Sequence, residues 1–316
     1  MTANPHRLSL DRTVARFLES VEGRITTTNR DVRLAGRFAG LGVDEQVSIV
    51  DAGEFGSIRT CIVRPAGSTA ALPTVVYLHG GGWTAEGLYS HERLIAGLAL
   101  GSGVAVVVPE YCVVMPACHP AAVEQAYATA RWVASDGPRW RLDPSRIAVV
   151  GDSSGGNAAI GAVLLSLRRR EFRISQLVAL TPITDTACDA GSCLLFAEGY
   201  FLRREDLRVR RAQYLPRGQH ADPTVAPLRA DRSELARFPA SLIITAEADV
   251  VRDQGEAFAA RLREAGAATT AVRYEGTVHG FAVLDALRDT SASRAALAQA
   301  VHALRNSLGA GPRTPL

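Results

Sequence analysis

Two adjacent serines, Ser153 and Ser154, stand inside the glycine frame of "VVGDSSGGNAA" (residues 149–159). A serine hydroxyl is a weak nucleophile at neutral pH. It attacks a carbonyl only with a base beside it and an acid that orients the base. The pattern G-x-S-x-G is met with Gly151 and Gly155 at its ends and Ser153 at its centre. A strand-like "IAVV" precedes it and a helix-like "NAAIGAVLLSL" follows, the strand–turn–helix setting of a nucleophile elbow. Two residues either side of Ser154 stand Asp152 and Gly156, so Ser154 cannot be the centre. As the residue after the nucleophile it would act through its backbone N–H, aimed at a developing oxyanion, and its side chain is expected to be dispensable. Two other uses of such a stretch are a plain tight turn and a phosphate cradle. The cradle would want a Lys-Ser/Thr step that neither "GDSSGGN" nor "HGGGWTAEGLYSH" contains.

The base and acid must follow the serine in the order Ser, Asp or Glu, His on such a scaffold. Of seven histidines, His279 and His302 come after the last predicted strand. His279 lies in "YEGTVHGF", in a glycine-flanked loop at that strand's C-terminal edge; His302 falls in the middle of a helical pattern, on its solvent side. Asp249 ends "SLIITAEAD" at the tip of the preceding strand. Asp253 is four residues on, inside the next helix, where capping or ion pairing is its expected use. The acid role therefore goes to Asp249 and the base role to His279. The oxyanion needs further donors, and "HGGGW" (79–83) follows the strand "TVVYL" with three bare glycines. His79 is expected to anchor that loop.

These residues need a frame. "TVVYLHG" (74–80), "VAVVVPEY" (104–111), "RIAVVGD" (146–152), "QLVALTP" (176–182), "SLIITAEAD" (241–249) and "TTAVRYEG" (269–276) read as strands. Their near-continuous apolarity suits a parallel sheet buried on both faces. Helical patterns over 92–100, 121–135, 156–170, 252–266 and 292–309 alternate with them, with Gly266 and Gly309 at C-cap positions. Residues 46–51 and 57–63 read as an opening antiparallel pair. The alternation predicts an α/β fold with a mostly parallel, doubly wound sheet. Residues 1–45, helical in pattern, and residues 183–239, with two helices and no strand, break the alternation. They are expected to form one helical cap, leaving 46–316 as the catalytic domain with 183–239 contributing to the cap.

Composition narrows the classes. Net charge is +3, and all 35 basic residues are arginine. The one dense basic run, "SLRRREFR" (166–173), lacks the broad face and motif of a nucleic-acid binder. No run reaches the ~18 apolar residues of a membrane span. The opening "MTANPHRLSLDRTVARFLES" is too charged for a secretory leader, which makes a cytoplasmic protein the expectation. Five cysteines with no C-x-x-C pair point to reduced thiols, Cys188 and Cys193 being close neighbours. Cys118–His119 lacks the spacing of a zinc site, so no metal and no cofactor are expected.

"HGGGW", "GDSSGGN", "DPTVAPL" (222–228), "TAEADVVRDQGEAFAARLREAG" (245–266) and "RYEGTVHGF" (273–281) together resemble the hormone-sensitive lipase family of α/β-hydrolases, in its bacterial carboxylesterase and acetyl-hydrolase branch. The resemblance runs from about Val47 to the C-terminus. It implies the α/β-hydrolase fold, with Ser153 as nucleophile, Asp249 as acid and His279 as base. It also implies the amides of Gly81, Gly82 and Ser154 as oxyanion donors. Two stretches depart from the family pattern. "PEYCVVMPACHPAA" (109–122) replaces the usual Asp-Tyr-Arg-Leu-Ala-Pro-Glu segment, and Gln254 stands where an acidic residue is usual.

The expected function is a serine carboxylic-ester hydrolase for acetyl to medium-chain esters, working through an acyl-serine. Two alternatives keep the scaffold: a natural-product tailoring deacetylase or acyltransferase with the same triad, and a non-catalytic small-molecule receptor. The expected partner is a small-molecule ester. A homodimer is compatible with the sequence; nucleic acid and a membrane span are not.

Overall fold

The computed structural model describes residues 8–21, 38–83, 91–111, 119–189, 191–215 and 220–309. Eight strands make one sheet: β1 (Val43–Asp51), β2 (Ser57–Pro65), β3 (Leu72–Leu78), β4 (Ala105–Pro109), β5 (Leu142–Asp152), β6 (Gln176–Leu180), β7 (Ala240–Ala248) and β8 (Thr269–Val278). Their spatial order is β1-β2-β4-β3-β5-β6-β7-β8. The β1–β2 and β2–β4 pairings are antiparallel, and every pairing from β4 to β8 is parallel. Every residue of β4 and β6 is buried, which explains why those strands read as near-continuous apolar runs. β1 opens at Val43, slightly ahead of the expected start.

The helices that alternate with the strands are α2 (Glu92–Ser102), α3 (Ala121–Asp136), α4 (Ser154–Arg169) and α8 (Arg252–Ala265), and α9 (Ser291–Leu308) follows the last strand. α2 packs on α9, and α3 packs on α4. α8 and α9 end on Gly266 and Gly309 in the left-handed conformation, at φ 95° and 60°. α9 carries His302 on its exposed side, hydrogen-bonded to Asn306. Among the described residues, no helix is long and apolar enough to cross a membrane.

Four further helices lie outside the alternation: α1 (Arg12–Val21), α5 (Ser192–Leu195), α6 (Arg204–Tyr214) and α7 (Arg232–Leu235). Among its described residues, the 183–239 stretch thus holds three α-helices where two helices were expected. Two of the three are single turns, too short to leave a periodic apolar pattern. Phe17 of α1 lies 5.3 Å from Phe201, just ahead of α6, between ring centroids. The Asp11 N–H donates to Gly276 O of β8 at 2.9 Å.

Candidate active site

The turn from β5 into α4 puts Ser153 at φ 54°, ψ −120°, a sparsely populated region for a residue with a side chain. Neighbouring backbone holds it there. The Ser153 N–H donates to Leu180 O at 2.9 Å, and Ser153 O accepts from Ile183 N–H at 3.2 Å. The turn also needs Gly155, because a Cβ at that position would collide with the carbonyl oxygens of Leu78 and His79. The elbow is therefore packed directly against the end of β3, where the HGGG loop begins.

Three chain segments far apart in sequence converge on the Ser153 side chain. His279, one residue past β8, places Nε2 2.9 Å from Ser153 Oγ. Its Nδ1 donates to Asp249 Oδ2 at 2.8 Å. Asp249 lies one residue past β7 and is 1% exposed; its other oxygen accepts from Val251 N–H at 3.0 Å. A carboxylate that orients an imidazole, whose far nitrogen faces a serine hydroxyl, can take the serine's proton as the oxygen attacks a carbonyl. All three groups sit at strand C-terminal ends, where parallel α/β sheets open their crevice.

The HGGG loop lies alongside. Gly81, Gly82 and Trp83 all have positive φ, at 122°, 68° and 60°. Ser154 is fully buried, and its Oγ accepts two successive loop amides, from Gly82 at 2.9 Å and Trp83 at 3.2 Å. The expectation that Ser154 uses its backbone alone is therefore corrected. Gly82 directs its N–H at Ser154 Oγ in this structure, a partner that sequence reasoning did not foresee.

Residues 75–283 match a family model described as the alpha/beta hydrolase fold. The chain belongs to the α/β-hydrolase family, in its hormone-sensitive-lipase-like group. It is similar to the carboxylesterase NlhH of Mycobacterium tuberculosis, 34% identical over 241 residues that cover 73% of this chain and 75% of the relative. It is also similar to an ethyl acetate hydrolase of Pseudomonas putida, 34% identical over 220 residues, covering 69% of this chain and 67% of the relative. Among solved structures, a thermostable esterase from Pseudomonas putida superposes with a TM-score of 0.86 at 32% identity, covering 97% of this chain and 99% of that one.

Around the site of this α/β-hydrolase lies a polar scaffold that the motifs did not announce. Asp152, buried beside Ser153, accepts from Tyr77 Oη at 2.7 Å and from Gly80 N–H at 2.9 Å, and lies 3.2 Å from His91 Nε2. Burial pushes its carboxyl pKa up. The His91 charge and the hydrogen bonds from His91, Tyr77 and Gly80 oppose this and hold the net value below the ordinary aspartate range. The same burial, with the Asp152 charge beside it, pushes the Tyr77 hydroxyl well above its usual value. His79 anchors its loop as expected: its Nδ1 donates to Gly80 O at 2.7 Å, and its own carbonyl accepts from Tyr111 Oη at 2.5 Å.

Two side chains tie the 183–239 insertion of the hydrolase to this scaffold. Asn157 Nδ2 donates to Ile183 O at 3.0 Å and to Val225 O at 2.8 Å. Gln254 Oε1 accepts from Thr184 N–H at 2.7 Å and Asp185 N–H at 2.8 Å. From α6, Arg210 Nη1 donates to Gly81 O at 3.2 Å, and the Tyr214 ring stacks on Trp83 with centroids 4.6 Å apart. Asp253 stands apart from the Ser153–His279–Asp249 hydrogen-bond chain. It pairs with Arg252 at 2.8 Å and accepts from Ser192 N–H at 2.6 Å.

One expectation for the cysteines is overturned: Cys188 and Cys193 are joined in a disulfide, with Cα atoms 5.6 Å apart. Gly191, at φ 56°, turns the chain back between them, so a short spacing that reads as unpaired becomes a bridged loop. Residues 112–118, the heart of the segment that departs from the family pattern, lie outside the described residues.

Proposed function

We propose that this protein is a serine esterase that hydrolyses small carboxylic esters, with Ser153 as nucleophile, His279 as general base and acid, and Asp249 as the orienting carboxylate. The chain of hydrogen bonds from Ser153 Oγ through His279 to Asp249 carries the reading. In acylation Ser153 Oγ bonds to the ester carbonyl carbon while its proton passes to His279 Nε2. The tetrahedral oxyanion is received by the amides of Gly81 and Ser154, with Gly82 holding the loop. Collapse breaks the ester C–O bond, and His279 gives its proton to the leaving alcohol. Water then repeats the sequence on the acyl-serine, His279 taking its proton, and releases the acid. No step calls for a metal or cofactor.

Acetyl to medium-chain acyl groups are the favoured substrates. The relatives named carboxylesterase and ethyl acetate hydrolase support this. So does the cap helix α6, whose Arg210 and Tyr214 crowd the oxyanion loop. A receptor would have no need of a base aligned on an elbow serine. The test is a panel of p-nitrophenyl esters from acetate to palmitate on the wild-type protein and Ser153→Ala. The wild type should turn over the short esters best, and Ser153→Ala should lose on the order of 10³-fold or more in kcat. A wild type inert across the panel, or an active Ser153→Ala, would sink the reading.

A further inference from the structure

We infer that the Ser154 hydroxyl is a positioning group that holds the oxyanion loop against the nucleophile elbow, an inference that rests on the esterase reading above. The loop is strained where it passes the elbow. Gly81 and Gly82 tolerate positive φ, but Trp83 at φ 60° carries a bulky side chain in a region such residues rarely adopt. A conformation of that kind persists only where its surroundings over-determine it. Among the described residues, two contacts on Trp83 do so here. From below, Ser154 Oγ accepts the amides of Gly82 and Trp83. From above, Tyr214 of α6 stacks on the Trp83 indole with the two planes 5° apart.

The chemistry of the lower contact is specific. A hydroxyl oxygen has two acceptor lone pairs, and Ser154 meets two donors. Ser154 is 0% exposed and Trp83 is 4% exposed, so water has little access to replace the hydroxyl. An alanine would leave the half-buried Gly82 amide and the buried Trp83 amide without that acceptor, and the loss at Trp83 is one a buried amide does not tolerate cheaply. Ser154 also opens α4, so its own backbone N–H stands on the elbow side of the oxyanion site. One residue thus supplies a donor from its main chain and fixes the facing wall with its side chain. Donors for a developing oxyanion must be held to within about half an ångström to be effective. The hydroxyl therefore sets how well the loop receives the transition state, and it touches no substrate atom itself.

Two measurements test this. The first uses Ser154→Ala in the ester assay, with folding checked by thermal melt. The inference expects kcat to fall about 10–100-fold with KM within about 3-fold, because a displaced donor costs the transition state and spares the ground state. Affinity for butylboronic acid, which bonds to Ser153 Oγ as a tetrahedral anion, should fall by a similar factor. Unchanged or raised kcat in a folded variant would overturn it, as would a KM-only effect or undiminished boronate affinity. The second measurement uses the wild-type protein and does not depend on activity: amide hydrogen exchange at Gly82 and Trp83. Slow exchange, comparable with β5, is expected. Exchange at the rate of an open loop would overturn the inference even if the Ala variant failed to fold. A wild type inactive on every ester but protected at these amides would instead count against the esterase reading alone.

Discussion

Asp152 accepts the backbone N–H of Gly80 at 2.9 Å, across 72 residues of sequence. Asp152 is the neighbour of Ser153, and Gly80 is the first glycine of the HGGG loop. The bond ties the Ser153 turn to the HGGG loop, and Tyr77 and His91 meet the same carboxylate.

Asp152→Asn should destabilise the fold by about 2–4 kcal/mol near neutral pH, since it leaves donors in a dry network without a charged acceptor. The sign of the pH dependence follows from the lowered carboxyl pKa. A carboxyl whose folded pKa lies below its unfolded value stabilises the fold above the unfolded range, about pH 4, and loses that contribution as pH falls through the folded value. The gap between wild type and variant in urea unfolding should therefore be full at pH 6–7 and shrink below about pH 4. A gap of constant size across that range would show that the carboxylate charge contributes nothing.

Asp249 and Asp253 offer a contrast between two nearby acids. Asp249→Asn removes the charge facing His279 Nδ1 and should lower kcat on the order of 10²–10⁴-fold, with the melting temperature close to wild type. Asp253→Asn loosens the contact with Ser192 and should lower the melting temperature by a few degrees, with kcat within about 3-fold. Equal kcat losses at both positions would remove the basis for choosing Asp249.

Gln254 Oε1 accepts from the Thr184 and Asp185 amides. Gln254→Glu keeps acceptors in place and should shift stability by less than about 1 kcal/mol. Gln254→Leu leaves both amides without their partner and should cost about 1–3 kcal/mol. Chemical denaturation of the three proteins decides it. A Glu variant as unstable as the Leu variant would mean that the amide group's NH₂, and not its oxygen, is what the site uses.

The strands and crossover helices were legible because burial on both faces of a parallel sheet forces continuous apolar runs, as in "AVVVP" and "QLVAL". Ser153, Asp249 and His279 could be chosen from sequence because each follows directly on a strand, and the order of those strands is written in the chain. The short helices α5 and α7 left no periodic trace. The Cys188–Cys193 bridge was read wrongly because a turn at Gly191, not the spacing, brings the two together.

The sequence by itself determined which residues could do chemistry and which strand end each would occupy, since period and motif are local properties. Only the tertiary structure decided how they are held. Tyr77, His91 and Gly80 converge on Asp152 from three parts of the chain, and the Ser154 hydroxyl meets Gly82 and Trp83. Hydrogen bonds of that kind depend on which polar atoms are brought within about 3 Å in an interior that excludes water, and no local pattern records that distance.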